Sequence, residues 1–150
     1  MCARNAMQFP LTGRLLAIDY GKKRVGLAVS DALQMTANAL ETKIIDGGRT
    51  RLFEELERLC VQQKIVGIVV GKPLHMDGSE GEMVELVRKF ADELHAKTGI
   101  PIRLWDERLT SLQARNALHS YGKKPSRHKS VVDKLAAAFL LQSFLDRQNR

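Results

Sequence analysis

Short apolar runs alternate with amphipathic stretches along this chain, and the two periods assign most of its elements. Arg14 to Tyr20, centred on Leu15-Leu16-Ala17-Ile18, reads as a short buried strand. Gly21-Lys22-Lys23 makes a turn and Arg24 to Ser30 a second strand, so the pair predicts a hairpin. A third strand is expected over Leu40 to Ile45, weakened by Asn38 and Glu41, before Asp46-Gly47-Gly48 breaks the chain. Leu52, Phe53, Leu56, Leu59 and Cys60 recur at helical spacing and predict an amphipathic helix near 49–63. Ile65 to Val70 is almost continuously β-branched, the signature of a strand buried on both faces.

Gly71 to Gly78 then reads as a loop. Ser79 and Glu82 have the spacing of a capping box, and Met83, Val87, Phe90 and Leu94 follow on one helical face. Gly99 and Pro101 end that helix, and Ile102 to Trp105 forms the next strand. Thr110 and Gln113 suggest a second capping box and a short helix ending before Gly122. Lys123 to Lys129 is a basic loop, and a last helix runs from about Ser130 to Asp146. Residues 1–12 read as a disordered lead-in, and 13–150 as one domain. The order βββαβαβαα predicts an α/β fold with a mixed five-stranded sheet flanked by helices. Right-handed crossovers make the later strands parallel to the first, and ligands bind at the carboxyl ends of such strands.

Composition narrows the chemistry. A net charge of +7 over 150 residues favours a polyanionic partner. Two cysteines, Cys2 and Cys60, build no disulfide framework and fit a reducing cytosol. No apolar run approaches the ~20 residues that span a bilayer, and the first residues lack the apolar stretch of a signal peptide, so the expected location is the cytoplasm. His75, His95, His119 and His128 are scattered, which argues against zinc. The loop after Val70 lacks the Walker spacing. With 5% aromatics, Trp105 reads as a packing residue rather than a base-stacking platform.

Three acids stand out against this background. Asp19 ends the first strand and precedes Tyr20-Gly21-Lys22-Lys23-Arg24; it is either a hairpin-turn residue or a metal ligand beside phosphate-binding cations. Glu107 lies in Asp106-Glu107-Arg108 at a later strand end; this is either a solvated turn or a metal ligand with Arg108 placed for phosphate or a carboxylate. Asp133 interrupts the apolar pattern of the last helix; it either faces water, paired with Lys129, or belongs to a site. Three carboxylates converging at one sheet edge suit a hard divalent cation.

Four segments taken together resemble the YqgF family, known as pre-16S rRNA nucleases or Holliday junction resolvase-like proteins. They are Ala17–Asp31, Val69–Gly81, Asp106–Ser111 and Asp133–Ala137, in the family's order. The resemblance implies a ribonuclease H-like fold in which Asp19, Glu107 and Asp133 hold two Mg²⁺ or Mn²⁺ ions. It also implies maturation of the 5′ end of 16S ribosomal RNA or cutting of branched DNA. Two positions depart from the family's pattern: Lys72 replaces an apolar residue between Gly and Pro, and Ser111 the commoner second Thr.

The expectation is therefore a metal-dependent endonuclease acting on a ribosomal RNA precursor, with ribosomal particles as candidate partners and no membrane. One ion would activate water and the other stabilise the leaving 3′ oxygen. Lys22, Arg24, Lys72, Arg108, Lys123, Lys124 and Arg127 are expected to contact nucleic acid. The alternatives are a DNA junction resolvase with the same site and a catalytically inactive nucleic-acid-binding assembly factor. An actin-like ATPase, which shares an Asp-x-Gly phosphate loop, needs more than 150 residues.

Overall fold

The structure, a computed structural model, describes residues 9–45, 48–75, 77–109 and 129–149; of Leu109 and residues 129–134 it describes the backbone alone. β1 (Arg14–Tyr20) and β2 (Arg24–Ser30) form the expected antiparallel hairpin, with Ile18 opposite Leu27 and Asp19 opposite Gly26. The Gly21 N–H donates to the Arg24 carbonyl across the turn at 3.0 Å. A Cβ on Gly21 would lie 2.8 Å from that oxygen, so the tight turn needs glycine.

β5 (Ile65–Lys72) runs parallel to β1, and β6 (Ile102–Asp106) parallel to β5. With β3 (Ala37–Ala39) and β4 (Lys43–Ile44), the strand order is β3-β2-β1-β5-β6, with β4 also paired to β2. The mixed sheet is thus five strands in line with a sixth fragment at one side. The third strand expected over 40–45 is not continuous. β3 and β4 lie one after the other along β2. Leu40 N–H still reaches the Leu27 carbonyl at 2.8 Å and Ile45 N–H the Lys23 carbonyl at 2.9 Å. No residue from Ala37 to Ile45 is buried, so this edge gains too little apolar burial to sustain a full ladder.

Alternation along the strands divides the core in two. Leu16, Ile18, Val25, Leu27, Ile68, Val70 and Ile102 face α1 (Gly48–Gln62) and α2 (Glu82–Thr98), meeting Leu52, Phe53, Leu56, Val87, Phe90 and Leu94. Leu15, Ala17, Ala28 and Val69 face α3 (Lys129–Gln148), meeting Ala137, Leu140, Leu141, Phe144 and Leu145. Covering both faces explains why β1 and β5 are apolar at successive positions. Of the stretch read as a lead-in, residues 9–12 are described. Phe9 is buried and meets Phe144 edge-to-face at 5.5 Å, because an aromatic ring this close to the second core gains more by burial than by remaining loose.

Two boundaries differ from the expected ones. β5 continues through Gly71 and Lys72, which pair with Trp105 and Asp106, so the loop begins at Pro73. The Ser79–Glu82 capping box is absent: Gly81 is the N-cap and no side chain caps α2. Ser79 instead donates both its N–H and its hydroxyl to Asp77 Oδ1, at 2.8 and 2.6 Å, and the local Asx-type turn wins the hydroxyl from the helix. The predicted stop holds, with Gly99 left-handed at φ 70° and its N–H on the His95 carbonyl. The predicted short helix after Thr110 and the basic loop lie outside the described residues.

The direction of α3 matters for the site. At its C-terminal end Gln148 and Asn149 donate to Gln34, which in turn donates to the Gly13 carbonyl at the start of β1. The first turns of α3 therefore lie toward the other end of β1, where Asp19 stands.

Candidate active site

Asp19 and Glu107 come together at the carboxyl edge of the parallel strands. Asp19 is the sixth residue of β1, and its β-alternation continues the Leu15–Ala17 series that faces α3. Glu107 opens a single 3₁₀ turn, Glu107–Leu109, directly after β6. The two carboxyl groups are hydrogen-bonded to each other. Burial, then the charge and hydrogen bond of Asp19, and finally the charge of Asp106 push the Glu107 carboxyl up to about 8. One proton shared between two crowded carboxyls is the arrangement that a cation would replace.

Gly71 makes this seat possible. It ends the buried part of β5, opposite Trp105. A Cβ there would collide with Glu107 Oε1 and lie 3.1 Å from Cγ and 3.2 Å from Cδ. Only hydrogen at this Cα leaves room for the carboxylate. The sequence pattern places Gly71 in a loop and does not reveal this role; the available signal is a glycine closing a β-branched run, which marks a close approach.

Arg108 is held by Asp106. Its Nε lies 3.2 Å from both carboxylate oxygens, its Nη2 is 2.8 Å from Oδ2, and its backbone N–H donates to Oδ1 at 2.9 Å. Partial burial opposes ionisation of Asp106, but the hydrogen bonds and charge of Arg108, with help from Lys72, outweigh it and hold the carboxyl below its ordinary value. The carboxylate that Arg108 meets is thus the neighbouring Asp106. Asp106 is a second residue that the sequence pattern does not single out.

The other expected residues distribute as follows. Lys22 is exposed in the β1–β2 turn and Arg24 half-buried at the start of β2, both at the same edge as Asp19. Lys72 pairs in register with Asp106 and forms an ion pair with Glu80 at 3.1 Å. Asp133 lies in α3, four residues before the buried Ala137, on the part of the helix directed toward this edge; its side chain is not among those described. Lys123, Lys124 and Arg127 lie outside the described residues. Trp105 packs as expected, edge-to-face on Phe144 at 5.2 Å with its indole N–H donating to Ser143 at 3.2 Å.

The donors fit a hard divalent cation. Among the described residues no cluster of three potential ligands is complete, since the pair Asp19–Glu107 supplies two. Both donors are carboxylate oxygens, and no histidine or cysteine intrudes on the described pair, which suits Mg²⁺ or Mn²⁺ better than zinc.

A family model described as "RuvX: Holliday junction resolvase" matches residues 13–147. A relative from Syntrophus aciditrophicus, named "Putative pre-16S rRNA nuclease", is 44% identical over 135 residues, covering 89% of this chain and 88% of its own. One of the same name from Halalkalibacterium halodurans is 43% identical over 136 residues, 90% of this chain and 97% of its own. The fold is shared with more distant structures. Thermus thermophilus RuvC in complex with a Holliday junction substrate superposes with a TM-score of 0.58 at 16% identity, over 91% of this chain and 96% of that one. The yeast mitochondrial Holliday junction resolvase Ydc2 gives 0.57 at 12%, over 97% and 82%. With the match running from the start of β1 to the end of α3, the chain belongs to the RuvX family of resolvase-like nucleases.

Proposed function

We propose that the chain is a divalent-cation-dependent endonuclease that hydrolyses phosphodiester bonds in structured RNA, with the precursor of 16S ribosomal RNA as substrate. The observation that carries this is the Asp19–Glu107 carboxyl pair at the carboxyl edge of the parallel strands of a basic protein. Asp19 and Glu107 would hold Mg²⁺ or Mn²⁺, in the proposed number of two ions, with Asp133 as a third donor from α3. When bound, such ions polarise water and neutralise charge on the phosphate. Gly71 leaves space for Glu107, and Asp106 orients Arg108 beside the pair. Lys22, Arg24, Lys72 and Arg108, together with Lys123, Lys124 and Arg127, would neutralise backbone phosphates without reading sequence.

RNA as substrate is supported by the names of the relatives. The family description favours a second reading, cleavage of four-way DNA junctions by the same carboxylates. A cytoplasmic location with ribosomal particles as partners goes with the RNA reading. Purified protein should be assayed side by side on precursor 16S RNA and on a four-way DNA junction, with Mg²⁺, with Mn²⁺ and with excess EDTA. Cleavage of the RNA that EDTA abolishes, and that Asp19→Asn, Glu107→Gln and Asp133→Asn each remove without unfolding the protein, is the expected result. Junction cleavage without RNA cleavage would select the DNA reading. Full activity in EDTA would sink both, and binding without any cleavage would indicate an assembly factor.

A further inference from the structure

At the same carboxyl end of the parallel strands as the carboxyl pair, two cations share a single acid. Arg88 of α2 grips Glu80 with a two-pronged contact, Nη1 to Oε1 at 2.8 Å and Nη2 to Oε2 at 2.7 Å. Lys72 Nζ reaches the same Oε2 at 3.1 Å. Arg88 also touches Glu85 at 3.1 Å, through the same Nη1. Lys72 directly follows Gly71, the residue against which Glu107 is seated, and pairs in register with Asp106. By the alternation of β5 its side chain lies on the α1–α2 face with Val70, opposite to Gly71, at the same carboxyl end of the strands as the carboxyl pair.

Glu80 itself sits in the connection between β5 and α2. Its backbone is tied to that segment by an isolated bridge to Leu74, and its side chain is 41% exposed. Hydrogen bonds from Arg88 and Lys72 hold its carboxyl down at about 2. The arrangement has the geometry of anion recognition. A guanidinium fork donates to two oxygens of a carboxylate or of a phosphate in the same plane, and a lysine adds a point charge to one of them. An incoming phosphodiester carries the same single negative charge as Glu80, so exchanging one for the other leaves the two cations equally neutralised.

We infer that Lys72 and Arg88 form a backbone-phosphate subsite that Glu80 occupies in the free protein and vacates when nucleic acid binds. The subsite rests on the reading of this edge as a nucleic-acid-binding one, and it extends that reading onto α2. Glu80 then acts as an internal competitor: it keeps the two cations preorganised, at the expense of affinity. A plain surface clip would share the contacts but would leave binding indifferent to Glu80.

The test is fluorescence anisotropy with a labelled RNA hairpin and, in parallel, a labelled four-way DNA junction, both in EDTA so that binding is read without cleavage. Lys72→Gln and Arg88→Gln should each weaken binding by about tenfold, the effect of removing one charge-assisted hydrogen bond. Each should also make the slope of log K against log salt shallower by about 0.9 on duplex or ~0.7 on single strand. Arg88→Lys, which keeps the charge but not the fork, should fall between wild type and Arg88→Gln. Glu80→Gln should tighten binding, and the gain should vanish in a Lys72→Gln/Arg88→Gln background. Glu54→Gln, an equal charge change on the exposed side of α1, is the control. Thermal melts check that each variant is folded. A Glu80→Gln gain no larger than that of Glu54→Gln, or one that survives removal of both cations, overturns the subsite. If Asp19→Asn abolishes cleavage while the Lys72 and Arg88 variants bind like wild type, the subsite alone is wrong. If wild type binds neither probe, the subsite and the nuclease reading fall together.

Discussion

Glu107→Gln should change how stability depends on pH in a way that only a crowded carboxyl pair produces. In the folded chain the Glu107 carboxyl is pushed from its ordinary 4.5 up to about 8, by burial first and Asp19 second. The folded state therefore holds a proton that the unfolded state releases at lower pH. The stabilisation this proton gives is fully present below about pH 4.5, shrinks as pH rises, and is gone once pH passes about 8. At ~1.36 kcal/mol per pH unit the span sets an upper bound of about 5 kcal/mol. Because the pair lies at a partly exposed sheet edge, water and side-chain rotation screen it, and about 1–3 kcal/mol is the expected measured loss.

Glutamine is neutral throughout and can donate an N–H to Asp19 as the protonated acid does. Urea denaturation of wild type and Glu107→Gln at pH 5 and pH 9, in EDTA, isolates the titration of the pair, because titrating groups away from it cancel in the difference. The variant should gain about 1–3 kcal/mol on wild type between the two pH values. Adding Mg²⁺ should restore wild type at pH 9 more than at pH 5, since the cation competes with the proton, and should do less for the variant. Parallel curves for the two proteins would refute the shared-proton account.

Further outcomes follow from the same geometry. Gly71→Ala should lower cleavage by about a hundredfold, because its Cβ would occupy the space of Glu107 Oε1. Gly67→Ala, two positions along the same strand face from Val69, puts Cβ 2.9 Å from Leu15 Cδ2 and Phe9 Cζ; it should cost about 1–3 kcal/mol in denaturation while sparing activity per folded molecule. Replacing Lys123, Lys124 and Arg127 together by Ala should weaken RNA binding across sequences and flatten its salt dependence by about 0.7–0.9 for each phosphate no longer neutralised, with Mg²⁺ binding unchanged; an unaltered salt slope would leave that segment as a connector. Cys60, buried in α1 with its thiol pushed up to about 11 by burial and by Glu57, should resist alkylation at pH 8 in the native protein and react on unfolding.

Much of this fold is legible in the sequence because its elements bury both faces or one clear stripe. The β-branched run from Ile65 and the Leu52–Cys60 spacing admit few other placements. Where burial is weak, local polar chemistry decides, and periodicity says little about it. Asp77 captures the Ser79 hydroxyl that a capping box would use, and the half-exposed stretch from Ala37 to Ile45 splits into two short strands. Asp19 and Glu107 are identifiable as acids at strand ends. Asp106 and Gly71 are not, because their roles depend on strand register: Gly71 falls opposite Trp105, two residues before Glu107, and Lys72 opposite Asp106.

Register also explains why a glycine, rather than a further charged group, completes this pair. Asp19 is brought to the α3 face by the period of two that places Leu15 and Ala17 there. β5 lies between β1 and β6, so a carboxyl arriving from the end of β6 must pass over β5 to meet Asp19. The residue beneath that crossing is Gly71. A side chain there would meet the Glu107 carboxyl and displace it from Asp19. The shared proton and the proposed cation seat thus depend on the same missing Cβ. In a Gly71→Ala background, adding Glu107→Gln should accordingly no longer change how stability varies between pH 5 and pH 9, and cleavage should already be low. Reduced activity with that pH-dependent difference intact would mean that Gly71 acts on substrate instead of on Glu107.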